Sequence, residues 1–550
     1  MVTADKTFPQ ARTILTALDR TLERAVTHAR QVTQAGQGID DSQVHCERLA
    51  YRATELRAAQ ELLRYAEALG QDGQDDMGAS MMALAFAAEI GQKLLAEVDA
   101  NLSDYGVGEA FVQGTLAAAE VRHAVRAGVS EAFVRHIGRV VLDTHGMNAC
   151  WLGDDTADMA RQSVRDFTRQ EVEPLAEWVH RHNELAPDEL IKKMGALGFF
   201  AMSIPEAYGG TGMGYLVMVI TTEELSRGSL GAAGSLITRP EIIARALLGG
   251  GTEAQKRRWL PRIACGELMV AVSVTEPDIG SDVASITCRA LPGELDGQRG
   301  YFIDGAKAWC TFAGRGDIIG LLARTDPDPS KGARGLSLFI VEKARFYGHD
   351  FVMQQPHGGV MRGKADATLG YRGMHSFTIN YEHFFVPAEN LVGAERGLHR
   401  GFYLQMSGFA NGRLQTGGRA IGLSQAALEK STAYAKGRSQ FGQPLSAYQL
   451  TQYKLGRMAT HLAAARQLTY AAARRMEREP GMGLEAAMAK LFASDVAVWL
   501  TQEGQLLHGG WGYAEETPIS RYVVDALVLP IFEGVKPILE LKVIARQLLK

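Results

Sequence analysis

The feature that most constrains this chain is a change in the spacing of its apolar residues. Up to about residue 265, and again after about 395, they recur every three to four positions. TILTALDRTLERAVTHARQV, ATELRAAQELLRYAEAL and YKLGRMATHLAAARQLTYAAARR show it, and this is the period of helices that bury one face. Between about 270 and 390 the runs shorten to YFIDGAKAWC, DIIGLLAR, LSLFIVE and SFTINYEHFFV. These are β-branched and aromatic, and Gly, Asp, Pro and Ser punctuate them, as strands and turns require. The expected fold is mainly α with a central β domain. Its parts are an N-terminal helical extension over 1–150, a helical domain over 151–268, the β domain over 269–392 and a C-terminal helical bundle over 393–550.

Charge and composition exclude several classes. With 58 Lys and Arg against 62 Asp and Glu the net charge is −4, so no global field draws the chain to nucleic acid or anionic lipid. The first 150 residues hold 14 basic and 20 acidic side chains, so they are no nucleic-acid arm. No apolar run approaches the ~18–20 residues that span a bilayer, and MVTADKTFPQ lacks the basic start and apolar stretch of a signal peptide. Five scattered cysteines without a CxxC pair form neither a disulfide framework nor a zinc site. A cytoplasmic protein without membrane, nucleic-acid or metal partners is expected. Residues 53–66 faintly echo 459–472. A degenerate copy of the C-terminal bundle would leave that trace, and so would two Ala/Leu-rich helices by chance.

Four segments carry the chemistry. VTEPDIGSD (274–282) opens the β region with small, turn-forming residues that let backbone approach a flat ligand. AWCTF (308–312) ends a predicted strand with an aromatic and a hydroxyl. HGGWGY (508–513) is a Gly-rich turn, and PIFEGV (530–535) sets a single carboxylate, Glu533, before a glycine. Taken alone, each is more often an ordinary turn or core residue than a site.

Together, in this order and spacing, they resemble the signatures of the acyl-CoA dehydrogenase family over roughly residues 155–550. The resemblance implies FAD as cofactor and an acyl-CoA thioester as substrate. It implies that Val274, Thr275 and Ser281 line the flavin, with Ser281 also facing the CoA chain. Trp309 packs on the ring and Thr311 donates toward N5. Gly509 and Gly510 contact FAD, often that of a neighbouring subunit. Leu506 stands where the family often has Gln. Glu533 matches the base that removes the α-proton, flanked by Val535 at the cofactor and Gly534 at the substrate. A carboxylate in a dry pocket suits that task, and donors at the thioester oxygen lower the barrier further.

The position before Arg413, where some relatives carry the base, is Gly412, and Arg413 itself matches the arginine that reaches toward CoA. In RSQFGQPLSAYQ (438–449) Arg438 matches a FAD-pyrophosphate ligand, with Phe441 and Gln449 alongside. These contacts cross a subunit interface in the family, which implies a homodimer or homotetramer.

Length, the extension and the Glu-Gly-Val-Lys sequence after the base resemble members acting on (2S)-methylsuccinyl-CoA, which form mesaconyl-CoA in the ethylmalonyl-CoA pathway. Electrons would then leave to an electron-transfer flavoprotein. The free carboxylate of that substrate demands a cationic or multi-donor partner, and Arg239 is one candidate, which reads equally as a surface helix residue. The stretch 354–373 reads as an enlarged loop. Alternatives are another short or branched acyl-CoA, an acyl-CoA oxidase, for which additional C-terminal helices would be expected, a nitroalkane oxidase or flavin monooxygenase of similar architecture, and a flavin-containing nucleic-acid-associated protein.

Overall fold

The computed structural model describes residues 4–71, 77–147, 150–479 and 483–550. It divides into two compact units, Met1–Met159 with Thr416–Lys550, and Ala160–Gln415.

The first unit interleaves the two ends of the chain. Helices Ala4–Val32, Gln43–Gln71, Met77–Ala100, Ala119–Val129 and Glu131–Asp143 pack with Gln449–Arg478, Gly483–His508 and Pro518–Ala526. Apolar spacing explains the faces they bury. In Gln43–Gln71 the inward residues include Leu49, Leu56, Ala59, Leu62, Leu63 and Leu69. Glycines allow a close crossing between Glu131–Asp143 and Gln449–Arg478. A Cβ on Gly138 would lie 1.8 Å from the Gln452 carbonyl oxygen, and one on Gly456 2.2 Å from that of Val134. Beside this crossing Glu89 binds Lys93 at 2.9 Å, Arg457 at 2.9 Å and His461 at 3.1 Å. Burial opposes its charge, but these partners hold its carboxyl well below the usual range. Arg30 reaches the Leu548 carbonyl at 2.9 Å, and Lys542 pairs with Asp40 at 2.6 Å.

The second unit sets helices Gly214–Gly228, Thr238–Gly250 and Glu253–Ala264 beside an eight-stranded sheet. Its strands are β1 Val270–Ser273, β2 Arg289–Leu295, β3 Gln298–Thr311, β4 Ile318–Arg324, β5 Leu336–Glu342, β6 Asp350–Gln354, β7 Val360–Ala365 and β8 Ser376–Pro387. The order is β1-β4-β2-β3-β8-β7-β6, with β5 on β4. Most pairs are antiparallel, but β1 runs parallel to β4, Val270 opposite Ile318. Trp259, Leu260 and Ile263 pack on Val270, Ile318, Leu338 and Ile340, so helix and sheet share a core. A Thr252–Gln255 capping box starts the last helix. Gln255 also donates to the carbonyls of Glu389 and Leu391, tying that helix to the chain after β8.

One expectation needs correcting. The stretch 354–373 is not simply a loop, because β6 and β7 pair as an antiparallel hairpin, Met353 opposite Met361. Only from Met361 to Lys364 do buried and exposed positions alternate, and the Gly and Lys of VMRGKA and the preceding PHGG disguise the strand. His357 pairs with Asp296 and Arg362 with Glu382.

Candidate active site

In the sheet unit, two of the singled-out segments are stitched together. Ala308 N–H donates to the Thr275 carbonyl at 2.8 Å. Behind them lies a buried ion pair, with Lys307 Nζ 3.0 Å from Glu276 Oε1 and 2.8 Å from the Val274 carbonyl. Glu276 also accepts from Thr287 N, Thr287 Oγ1 and Cys288 N at 2.7–2.8 Å. Burial disfavours its charge, but Lys307 and these donors hold its carboxyl below the usual range. Every lone pair of a costly buried charge is thereby used, and the strand end carrying Val274 and Thr275 is fixed.

The register of β3 against β8 shifts between Lys307 and Cys310. Such irregularities re-aim side chains, and here Trp309 takes φ +57° and is 59% exposed. An exposed, left-handed tryptophan is not a core residue. Its side chain is open to solvent near the end of β3. Thr311 is buried, its Oγ1 2.9 Å from Ser376 Oγ. Ser281 is exposed on the turn. Arg413 is half-buried on helix Gly401–Gly437.

Arg239 is buried on Thr238–Gly250. Its Nη1 donates to Tyr371 Oη at 2.9 Å and to the Ser235 carbonyl at 3.3 Å, and its guanidinium carbon stands 5.9 Å from the Tyr371 ring centre. Among the described residues no carboxylate forms an ion pair with it. Two positions along the helix, Glu241 accepts from Ser203 Oγ and Asn411 Nδ2, and burial raises its carboxyl above the usual range.

In the helical unit, Glu533 lies between helix Pro518–Ala526 and the short turn Lys536–Ile538, half-buried, with φ +55°. Gly534 follows at φ +101°. A non-glycine residue in this region is strained and persists only where neighbours over-determine it. Three contacts do so. The fully buried Lys490 donates to the Gly534 carbonyl at 2.7 Å. The buried Arg419 lies over the Phe532 ring at 4.5 Å. Lys536 N–H closes onto the Pro530 carbonyl at 2.9 Å. Val535 leads into the turn.

The same unit holds a cavity of about 410 Å³ lined by Lys430, Tyr434, Arg438, His508, Trp511 and Thr517. Tyr434 stacks on His508 at 4.2 Å, and burial lowers the imidazole's pKa. Gly509 takes φ +61°, and no atom stands within 4 Å of a Cβ on Gly509 or Gly510. Two cations and aromatic faces around an open Gly-Gly turn suit a nucleotide with its phosphates, so the donor set fits a FAD. Arg438 and the 508–511 turn are thus brought to one cavity. Phe441 is 97% exposed, and Gln449 is the exposed first residue of its helix.

These features have a counterpart in known proteins. Models of the acyl-CoA dehydrogenase N-terminal and middle domains match residues 154–267 and 271–383. The model of the C-terminal domain matches both 6–142 and 399–549.

The chain belongs to the acyl-CoA dehydrogenase family. It is an FAD-binding oxidoreductase with an acyl-CoA substrate. It is 36% identical to the (2S)-methylsuccinyl-CoA dehydrogenase of Cereibacter sphaeroides, covering 99% of this chain and 97% of that protein. To an acyl-CoA dehydrogenase of Bacillus subtilis it is 37% identical, over 71% of this chain and 97% of the relative. The butyryl-CoA dehydrogenase of Megasphaera elsdenii superposes with a TM-score of 0.66 at 30% identity, covering 74% of this chain and all of that one. The C-terminal domain model thus matches at both ends of the chain, and residues 53–66 and 459–472 fall one in each matched stretch.

Sequence reading alone missed Lys490, Arg419, Tyr371 and the Glu276–Lys307 pair. For Lys490 the one available signal was a lone lysine inside the apolar helix AAMAKLFAS.

Proposed function

We propose that this acyl-CoA dehydrogenase converts (2S)-methylsuccinyl-CoA to mesaconyl-CoA, a step of the ethylmalonyl-CoA pathway, and passes the electrons to an electron-transfer flavoprotein. The observation that carries this reading is Arg239, a buried guanidinium that meets only neutral oxygens. A buried cation without an anion is costly, and the carboxylate of a methylsuccinyl group would complete it, with Tyr371 beside it. The match to the Cereibacter sphaeroides enzyme across the extension supports the same choice. A structural neighbour described as an electron transferring flavoprotein of Acidaminococcus fermentans, at 31% identity and a TM-score of 0.65, supports the acceptor.

Bound FAD supplies the hydride acceptor for the β-carbon. Glu533 removes the α-proton as its carboxylate becomes a carboxylic acid, and its backbone N–H faces the thioester oxygen, where charge develops. Gly534 lies along the substrate, Val535 along the cofactor, and Arg413 reaches toward CoA. Val274, Thr275, Ser281, Trp309 and Thr311 bind the flavin ring. Arg438, Phe441, Gln449, Gly509 and Gly510 bind its nucleotide end, across the interface of a homodimer or homotetramer. The exposed Phe441, Leu506, Trp511 and Tyr513 support such an interface. No described helix is long and apolar enough to cross a membrane, in keeping with a cytoplasmic site of action.

Methylsuccinyl-, butyryl-, isovaleryl- and glutaryl-CoA, assayed with a ferrocenium acceptor, test the reading. Methylsuccinyl-CoA should turn over fastest, and Arg239→Met should raise its KM more than that of butyryl-CoA. An inert methylsuccinyl-CoA beside an active butyryl-CoA refutes the substrate and leaves the family standing.

A further inference from the structure

We propose that Tyr51, in the N-terminal helical region, is a positioning residue for the Glu533 turn, acting through Asp495 and Lys536. The proposal rests on Glu533 being the base. Tyr51 projects from helix Gln43–Gln71, and its hydroxyl donates to Asp495 Oδ2 at 2.8 Å. Lys536 Nζ donates to that same oxygen at 2.7 Å and stands 4.8 Å from the centre of the Tyr51 ring. Tyrosine, aspartate and lysine close a triangle, and Lys536 is the third residue after Glu533.

The triangle matters because of what Lys536 closes. Its N–H bonds the Pro530 carbonyl, so residues 530–536 form one loop with the left-handed Glu533 and Gly534 at its apex. Lys490 holds that apex from inside, and Lys536 holds its outgoing end. An Asp–Lys pair on an open surface contributes ~0–1 kcal/mol and fixes little. Here the pair, still 36% and 23% exposed, also shares the charge-assisted Tyr51 hydroxyl and gains a cation–π contact with its ring. Burial and the Asp495 and Glu55 charges push the Tyr51 hydroxyl well above the usual tyrosine range, so it stays a donor. Burial works against the Lys536 charge, but Asp495 holds it above its ordinary value. Glu540, 3.8 Å from Lys536 Nζ, completes the surroundings together with the more distant Glu47. This arrangement gives a physical reason for the Glu-Gly-Val-Lys sequence and the extension to occur in one chain. The lysine is the part of the catalytic turn that the extension can grip.

Tyr51→Phe removes one oxygen and keeps the ring, Lys536→Met removes the charge, and Lys536→Arg restores it. Substrate-dependent bleaching of bound FAD is followed with the most active CoA ester, alongside KM and flavin content. Tyr51→Phe should slow bleaching about 3- to 10-fold and Lys536→Met about 10- to 30-fold, with KM and FAD stoichiometry unchanged, since positioning acts on the chemical step. Lys536→Arg should recover most of the rate. The double variant should lose no more than Lys536→Met alone. Parental rates, additive losses, or losses that merely track flavin release overturn the proposal. If Lys536→Met does not fold, Tyr51→Phe decides alone. Glu533→Gln runs alongside, and bleaching that survives in it refutes the base itself, a failure distinct from the other.

Discussion

Lys490 donates to the Gly534 carbonyl at 2.7 Å from a side chain with no solvent exposure. A buried ammonium thus braces the residue after the proposed base. Lys490→Met leaves the carbonyl without its charged donor, a loss of about 1.5–3 kcal/mol. Because the turn holds Glu533 in a left-handed conformation, kcat should fall about 10- to 100-fold with FAD still bound. Stopped-flow flavin reduction measures it.

Lys307→Met strands the Glu276 carboxylate beneath the strand end proposed to face the flavin. Removing one partner of a buried pair costs about 3–5 kcal/mol, so the thermal midpoint should drop and FAD should dissociate on gel filtration. Adding Glu276→Gln removes the stranded charge and should recover part of the midpoint.

Glu540 is buried, and burial pushes its carboxyl up to about 7 from the ordinary 4.5. The folded chain therefore holds a proton that the unfolded chain releases between about pH 4.5 and 7. Stability falls as pH rises through that window and stays lower above it. Glu540→Gln should raise the midpoint at pH 8 by about 1–3 °C, and the gain should vanish below about pH 4.5. Differential scanning fluorimetry across pH gives the comparison.

Gly138→Ala places a methyl 1.8 Å from the Gln452 carbonyl oxygen. Backbone must move to admit it, costing about 3 kcal/mol. Helix Glu131–Asp143 should loosen from Gln449–Arg478, read as faster proteolysis of the N-terminal helices.

The architecture was legible because its signals are local. Helical and strand periods each occupy a contiguous stretch, and the turn before Gly534 sits in a recognisable motif. The unread parts depend on contacts between distant segments. Lys490 has no local mark beyond being one charge in an apolar helix, and its partner carbonyl lies 44 residues onward. Arg239 could be nominated from its surroundings in sequence, but Tyr371 could not, because its pairing spans 132 residues. The β6–β7 hairpin was hidden by glycines that break alternation without breaking the ladder.

The interleaving of both chain ends in one unit has a consequence for biosynthesis. Helices up to Asp143 emerge first, yet their partners Gln449–Arg478 and Gly483–His508 are made only after Ala160–Gln415. At ribosomal rates of about 5–20 residues per second, the early helices wait roughly 15 s to a minute with their apolar flanks bare. A ribosome stalled before residue 449 therefore leaves these helices without Gln449–Arg478 and Gly483–His508, the helices they pack against in the finished unit.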